Sequence, residues 1–185
     1  MNARPPRLLL LIIVASLMPA IAAAASPGAG DPTALELAVK ASYLTKFAPF
    51  VRWPPGAFAS PQEPLTICVA GDDPFGPMLD DAARGQRVAG HPLAVKRLAA
   101  AAQTAACQIL FVGRSANTST EELLREVGGQ PVLTVTDRSR GVAGGIVQFV
   151  LEHGRVRFAI DQAAADLCGL SISSKLLALA VKVTR

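Results

Sequence analysis

The amino-acid sequence predicts a single α/β domain of three layers: a mostly parallel sheet with an antiparallel hairpin at one end and helices on both faces. Two observations predict it. Short apolar runs of strand length alternate with segments of helical period, the pattern of right-handed β-α-β crossovers. Near the C-terminal end two such runs flank Glu152-His153-Gly154, a tight turn that implies an antiparallel pair. Neither an internal repeat nor a second block of composition points to another domain.

The chain opens with Arg4 and Arg7, then the apolar run Leu8 to Leu17, then small residues from Ala20 to Ala25. That is the pattern of a signal peptide. The run is shorter than the roughly 20 residues that cross a bilayer, and no cysteine follows it to accept a lipid. The expectation is therefore export to the periplasm with cleavage near Ala25: residues 1–25 form the signal peptide, 26–34 a linker, and 35–182 the folded domain, which does not span the membrane. Removing Arg4 and Arg7 leaves 16 of the 18 basic residues against 14 acidic ones, so the formal charge falls from +4 to +2. Lysines and arginines are scattered and do not interleave with aromatics, which argues against a nucleic-acid partner.

From Thr33 to Arg52, Leu35, Ala38, Val39, Tyr43, Leu44, Phe47, Phe50 and Val51 recur at helical spacing. Asp31 or Thr33 caps this predicted helix and Pro54-Pro55-Gly56 ends it. Leu65 to Ala70 reads as a buried strand closing on Gly71-Asp72-Asp73-Pro74, followed by a helix from Phe75 to about Arg84. Further strands are predicted at Leu93 to Leu98, Ile109 to Val112 and Val132 to Thr136, with an Ala-rich segment and Glu121 to Val127 as the intervening helices. Beyond the loop Gly141 to Gly145 come the hairpin strands Ile146 to Leu151 and Val156 to Ile160. Two helices, Gln162 to Leu167 and Ser173 to Val181, close the chain on either side of Gly169.

Catalysis finds little support in these residues. General acid-base and metal chemistry most often recruit histidine, and the chain has only His91 and His153, read as exposed turn residues outside any metal-ligand constellation. There is no phosphate-binding loop, nucleophile elbow or dinucleotide fingerprint. The sequence thus implies no enzyme activity, no metal and no cofactor. Cys68 in the first strand and Cys107 just before the third fall on strands that are commonly neighbours in doubly wound sheets, which favours a disulfide between them over independent buried thiols. Cys168 reads as a buried small hydrophobe.

Two clusters remain as candidate sites. The carboxyl ends of the parallel strands carry Asp72, Asp73, Arg114 and Asp137, a possible small-molecule site in the position α/β sheets use for ligands. The stripe Tyr43, Phe47, Phe50 and Trp53 is read mainly as core, with Arg52 and Trp53 suited to surface docking, since tryptophan and arginine are favoured at interface hot spots.

The order and spacing of several segments resemble the YfiR family of periplasmic regulators. These are Ala41-Ser42-Tyr43-Leu44-Thr45-Lys46-Phe47 running into Phe50-Val51-Arg52-Trp53-Pro54, Ile67-Cys68-Val69-Ala70-Gly71 with Pro74-Phe75-Gly76, and Cys107 to Val112. They continue with Gly144-Gly145 and Phe149, Val156 to Asp161, and Gly169 to Leu177. The resemblance runs from about Ala38 to Ala180. It implies a noncatalytic, typically dimeric repressor that binds the periplasmic sensor domain of an inner-membrane diguanylate cyclase and lowers cyclic-di-GMP output until envelope or redox stress removes it. The family's cysteine pair would map onto Cys68 and Cys107. Arg52, Trp53, Arg157 and Asp161 are the candidate partner contacts. The alternative is a periplasmic small-molecule binding module that uses Asp72, Asp73, Arg114 and Asp137. Asp161 and Cys168 depart from the family's usual Asn and small uncharged residue, and a second cysteine pair seen in some members has no counterpart.

Overall fold

Helix α1 (Pro32–Phe47) begins where the Asp31 carboxylate accepts the Thr33 N–H at 2.9 Å, with proline in the first turn, where its missing donor costs nothing. In the computed structural model, which describes Met1 and residues 31–99 and 106–185, the helix stops five residues earlier than its periodicity suggests. Pro49 is the reason: it supplies no N–H and crowds the preceding turn. Ala48–Phe50 therefore tighten into a 3-10 turn, and Val51–Arg52 swing out as the short strand β1. Residues 2–25 of the expected signal peptide, residues 26–30 of the expected linker and most of the Ala-rich segment lie outside the described residues, while residues 32–34 of that linker form the first turn of α1.

The buried row of α1 is Leu37, Ala41, Leu44 and Phe47, continued by Ala48 of the 3-10 turn, whereas Leu35 and Val39 face solvent at 66% and 37% exposure. With Ala38, three of the eight residues of the apolar stripe read from the sequence thus lie on the outer side. Lys40 sits in the buried row. Tyr43 and Phe47 are held against Phe149 and Phe158 in a cluster of four rings with centroids 5.2–6.2 Å apart. Those two members of the aromatic stripe are core.

After β2 (Leu65–Ala70), every residue of which is buried, come α2 (Pro77–Ala83), β3 (Arg87–Val88), β4 (His91–Leu98) and β5 (Ile109–Val112). Next are α3 (Thr120–Glu126), β6 (Leu133–Asp137) and the hairpin β7 (Val147–Glu152) and β8 (Arg155–Asp161). The chain closes through α4 (Gln162–Leu167), β9 (Ser171–Ile172), α5 (Ser174–Leu177) and β10 (Lys182–Thr184).

Eight strands form one sheet in the order β10-β8-β7-β6-β5-β2-β4-β3, while β1 and β9 make a separate two-stranded ribbon. Pairing is parallel from β4 through β7 and antiparallel at β7–β8 and β3–β4. The β7–β8 connection is the expected hairpin turn, with Glu152 paired to Arg155 and only two residues in the loop: His153 and Gly154 both have positive φ, which matches the twist of a hairpin.

One face of the sheet packs Leu65, Ile67 and Val69 against α1 and α2; the other packs Ala70, Leu110 and Val112 under α3. Helices thus cover both faces. On the α3 side Cys68 and Cys107 form a disulfide with Cα atoms 5.8 Å apart, both buried, at 0% and 3% exposure. Closing a loop of 39 residues contributes about 4 kcal/mol in the chain-entropy model. The C-terminal segment differs from the expected long helix: α5 is one turn, and the chain ends as β10, parallel to β8.

Candidate functional site

The order β4-β2-β5-β6 reverses direction between β2 and β5, and at such a reversal open α/β sheets bind their ligands. Here the two loops that flank the reversal are zipped together. The Asp72 N–H donates to the Arg114 carbonyl at 2.7 Å and the Gly113 N–H to the Ala70 carbonyl at 2.8 Å. A Cβ on Gly71 would stand 2.5 Å from the Arg114 carbonyl oxygen and one on Gly113 2.1 Å from that of Asp72, so backbone rests on backbone with no room for a side chain.

The acids of this cluster are engaged within the fold. Asp73 accepts the Phe75 N–H at 2.8 Å and pairs with Arg97 at 2.9 Å; Arg97 also grips Asp80 and the Gly76 carbonyl. The hydrogen bond from Arg97 holds the Asp80 carboxyl below its ordinary range. Asp137, 1% exposed, accepts from Lys40 at 2.6 Å, and Lys40, fully buried, also meets Glu36 and the Ser139 hydroxyl. Asp72 and Arg114 face each other at 3.9 Å, both largely exposed. The space between these residues is about 110 Å3, well below the roughly 300 Å3 at which small-molecule sites begin. Behind the same loops a polar recess of about 360 Å3, containing Arg114, Ser115, Asn117 and Thr118, extends to Ala99 at the edge of the undescribed segment.

A different space opens where α1 gives way to β1. Phe50 to Trp53, Phe58, Val88, Ala89, His91, Ser171 and Ser173 enclose a cleft of about 370 Å3 between the β1–β9 ribbon and the edge strand β3. Its wall is aromatic: Phe58 stacks on His91 with centroids 4.0 Å apart, and Trp53 meets Phe58 edge-on at 6.3 Å. His91 is therefore not the exposed turn residue expected. It starts β4, half-buried, and its Nδ1 donates to the Glu63 carbonyl at 2.6 Å. Ala89 at the rim has φ +50°, a left-handed conformation uncommon outside glycine.

Two buried polar atoms at this cleft, Trp53 Nε1 and Ser173 Oγ, have no hydrogen-bond partner among the described residues. Native interiors rarely leave such atoms unpaired. Arg52 is exposed and makes no ion pair among the described residues. Among the described residues no acidic side chain lines the cleft.

Arg157 and Asp161 stand elsewhere. They share one face of β8, opposite to Phe158 and Ile160, which pack with α1. Asp161 caps α4 by accepting the Ala164 N–H at 2.9 Å and lines a second cleft, beside Leu124, Leu167 and the half-buried free thiol of Cys168. The four candidate partner contacts thus fall into two places. Phe58, His91 and Ser173, which complete the cleft around Arg52 and Trp53, carry no motif; the one signal in the sequence was the proximity of Trp53 to the helix end.

Fold and cleft together define a doubly wound α/β domain with an aromatic-walled recess at the edge of its sheet. The chain belongs to the YfiR/HmsC-like family, whose model, described as DUF4154, matches residues 37–181. Among curated proteins none matches. Among solved structures, the ABC domain in complex with L-Trp from Streptococcus pneumonia aligns over 77% of this chain and 60% of its own, at 10% identity and a TM-score of 0.49. This chain spans less than two thirds of that protein, and a likeness of this degree carries no argument. No helix among the described residues is long and apolar enough to cross a membrane.

Proposed function

We propose that this protein is a periplasmic repressor that binds the sensor domain of an inner-membrane diguanylate cyclase and lowers cyclic-di-GMP signalling, acting by binding and not by turnover. Membership of the YfiR/HmsC-like family across nearly the whole compact unit carries the reading. The cleft supplies its chemistry: tryptophan and arginine, the residues most often found at interface hot spots, stand side by side over an apolar floor. Arg52 and Trp53 are the contacts assigned to the partner; Arg157 and Asp161 would belong to a second contact. A repressor of this kind works by linkage. It prefers one conformation of the sensor and shifts its population by no more than the difference in affinity.

The test is a pull-down of the exported chain, wild type and Arg52→Glu, from solubilised membranes of its host under oxidising and reducing conditions, with identification of what is retained. Retention of a cyclase by the wild type and its loss in Arg52→Glu are expected. Loss on reduction of Cys68–Cys107 would make the repressor redox-gated, and retention would make the bond a staple. The proposal fails if no membrane protein is retained in either state.

A further inference from the structure

We infer that His91 is a proton-operated switch in the wall of the cleft: when its ring takes up a proton, the outer nitrogen turns from acceptor to donor and a positive charge appears at the wall that Arg52 shares, while the fold stays as it is. The backbone sets the ring first. Val88 pairs with His91 across the two-residue turn Ala89-Gly90, in which both residues have positive φ, and Pro92 follows. The imidazole lies on Phe58 with centroids 4.0 Å apart and planes 19° from parallel, and Nδ1 meets the Glu63 carbonyl at 2.6 Å. A carbonyl can only accept, so Nδ1 carries the hydrogen and Nε2 of the neutral ring is an acceptor. Nε2 has no hydrogen-bond partner among the described residues and is not one of their buried unpartnered atoms, so solvent reaches it.

Histidine is the side chain that gains a charge between about pH 5 and 8, and both contacts of this ring suit the charged form. The Nδ1 hydrogen bond is kept and becomes charge-assisted. A cation on the face of a phenyl ring is attracted by its quadrupole. What changes is what the cleft offers to an occupant. The charged groups facing the ring are Arg52 from β1, Arg87 from β3, whose guanidinium donates to the Gly90 carbonyl, and Glu63, whose carboxylate accepts the Ala59 N–H. The β9 segment contributes only Ser171 and Ser173. A proton on His91 therefore adds to a charge that is already positive, and the cleft turns further toward carboxylate-bearing surfaces and away from cationic ones. That this charge governs docking rests on the proposed function; the switch itself belongs to the isolated chain, so the two fail separately.

The test follows the histidine rings of the purified 15N-labelled chain as the pH is lowered from about 8 to about 5. His91 and His153 are its two histidines, and His153→Gln, at the far hairpin, leaves one ring to read. At the alkaline end Nδ1 of His91 is expected to show the shift of a protonated ring nitrogen and Nε2 that of a bare one. On acidification Nε2 alone should move, and the indole N–H resonance of Trp53, the one tryptophan, edge-on to Phe58, should follow with the same midpoint. His91→Gln should abolish the Trp53 displacement; the ring spectrum of the native residue decides the matter even if that variant fails to fold. A bare Nδ1 at the alkaline end, an Nε2 that does not move, a Trp53 resonance that stays still while Nε2 moves, or loss of the folded spectrum in acid would each overturn the switch. In the membrane pull-down, retention of the cyclase should rise roughly two- to five-fold over the same pH interval, the scale of one partly exposed ion pair, and equal retention at both ends would overturn its bearing on docking.

Discussion

The strand-end crevice and the cleft beside Trp53 are both concave and both carry arginine, yet the fold treats them in opposite ways. At the crevice, Gly71 and Gly113 let two loops touch backbone to backbone, Asp73 ties down the start of α2, and Asp137 is matched by Lys40. At the cleft, among the described residues, Trp53 Nε1 and Ser173 Oγ are buried without partners and Arg52 lacks an ion pair, and Ala89 is held in a left-handed conformation. One region has its polar groups satisfied from within; the other leaves two buried polar atoms unpaired among the described residues. Proteins tolerate local strain and unmet hydrogen bonds chiefly where a ligand or partner supplies the balance.

The contrast can be broken at four points. The largest effect is expected from Lys40→Met, which strands the Asp137 carboxylate in a buried site. Removing one member of a buried pair costs roughly 3–5 kcal/mol, to be read as a lower urea midpoint. A loss below about 1 kcal/mol, the scale of exposed pairs, would show that Lys40 does not hold the crevice closed. Next is Gly113→Ala. Its methyl group would meet the Asp72 carbonyl oxygen, so the loops must part, at a cost of roughly 1–3 kcal/mol by analogy with overpacked cores. Amide exchange at Asp72 and Gly113 should quicken, and unchanged exchange would mean that the contact is not what seals the loops.

A smaller effect is expected in acid. Because Arg97 depresses the Asp80 pKa in the folded state, the contribution of this pair is fully present above the unfolded carboxylate pKa of about 4 and fades as the pH falls through the lower folded value. Arg97→Gln should therefore lower stability at neutral pH, modestly because both groups are partly exposed and solvent screens them, and leave it unchanged in strong acid, so that the acid limb of the profile flattens. An unchanged acid limb would remove Arg97 from that role. The smallest effect is expected from Arg52→Gln, which should shift stability by no more than about 0.5 kcal/mol. A larger loss would make Arg52 a structural residue and the cleft part of the packing.

How much of this was legible depended on whether a signal lay within one segment. The strand Leu65–Ala70 and the turn at His153-Gly154 were readable because an uninterrupted apolar run and a two-residue turn declare themselves locally. The family resemblance, carried by the order of such local pieces, was readable for the same reason. The phase of α1 was not: Leu35 and Val39 are as apolar as Leu37 and Leu44, and Lys40 occupies the inner row that periodicity assigns to hydrophobes. Strands β1, β9 and β10, two or three residues long, are too short to show a period. The cleft was legible only through Arg52 and Trp53. Its other walls come from Phe58, Val88, His91 and Ser173, which are gathered by the ribbon and the sheet edge and share no spacing along the chain.

The burial of Cys68 and Cys107 sets how any reductant in the envelope is sensed. A thiolate must reach a sulfur atom to exchange with it, and these sulfurs lie beneath α3 with almost no surface of their own. Attack must wait for a transient opening of that layer. The rate of reduction should then level off as dithiothreitol is raised, reporting the frequency of opening and not the strength of the reductant. Under those conditions the bond would behave as a timer on native-state breathing, sensitive to heat and crowding of the envelope as much as to its redox potential.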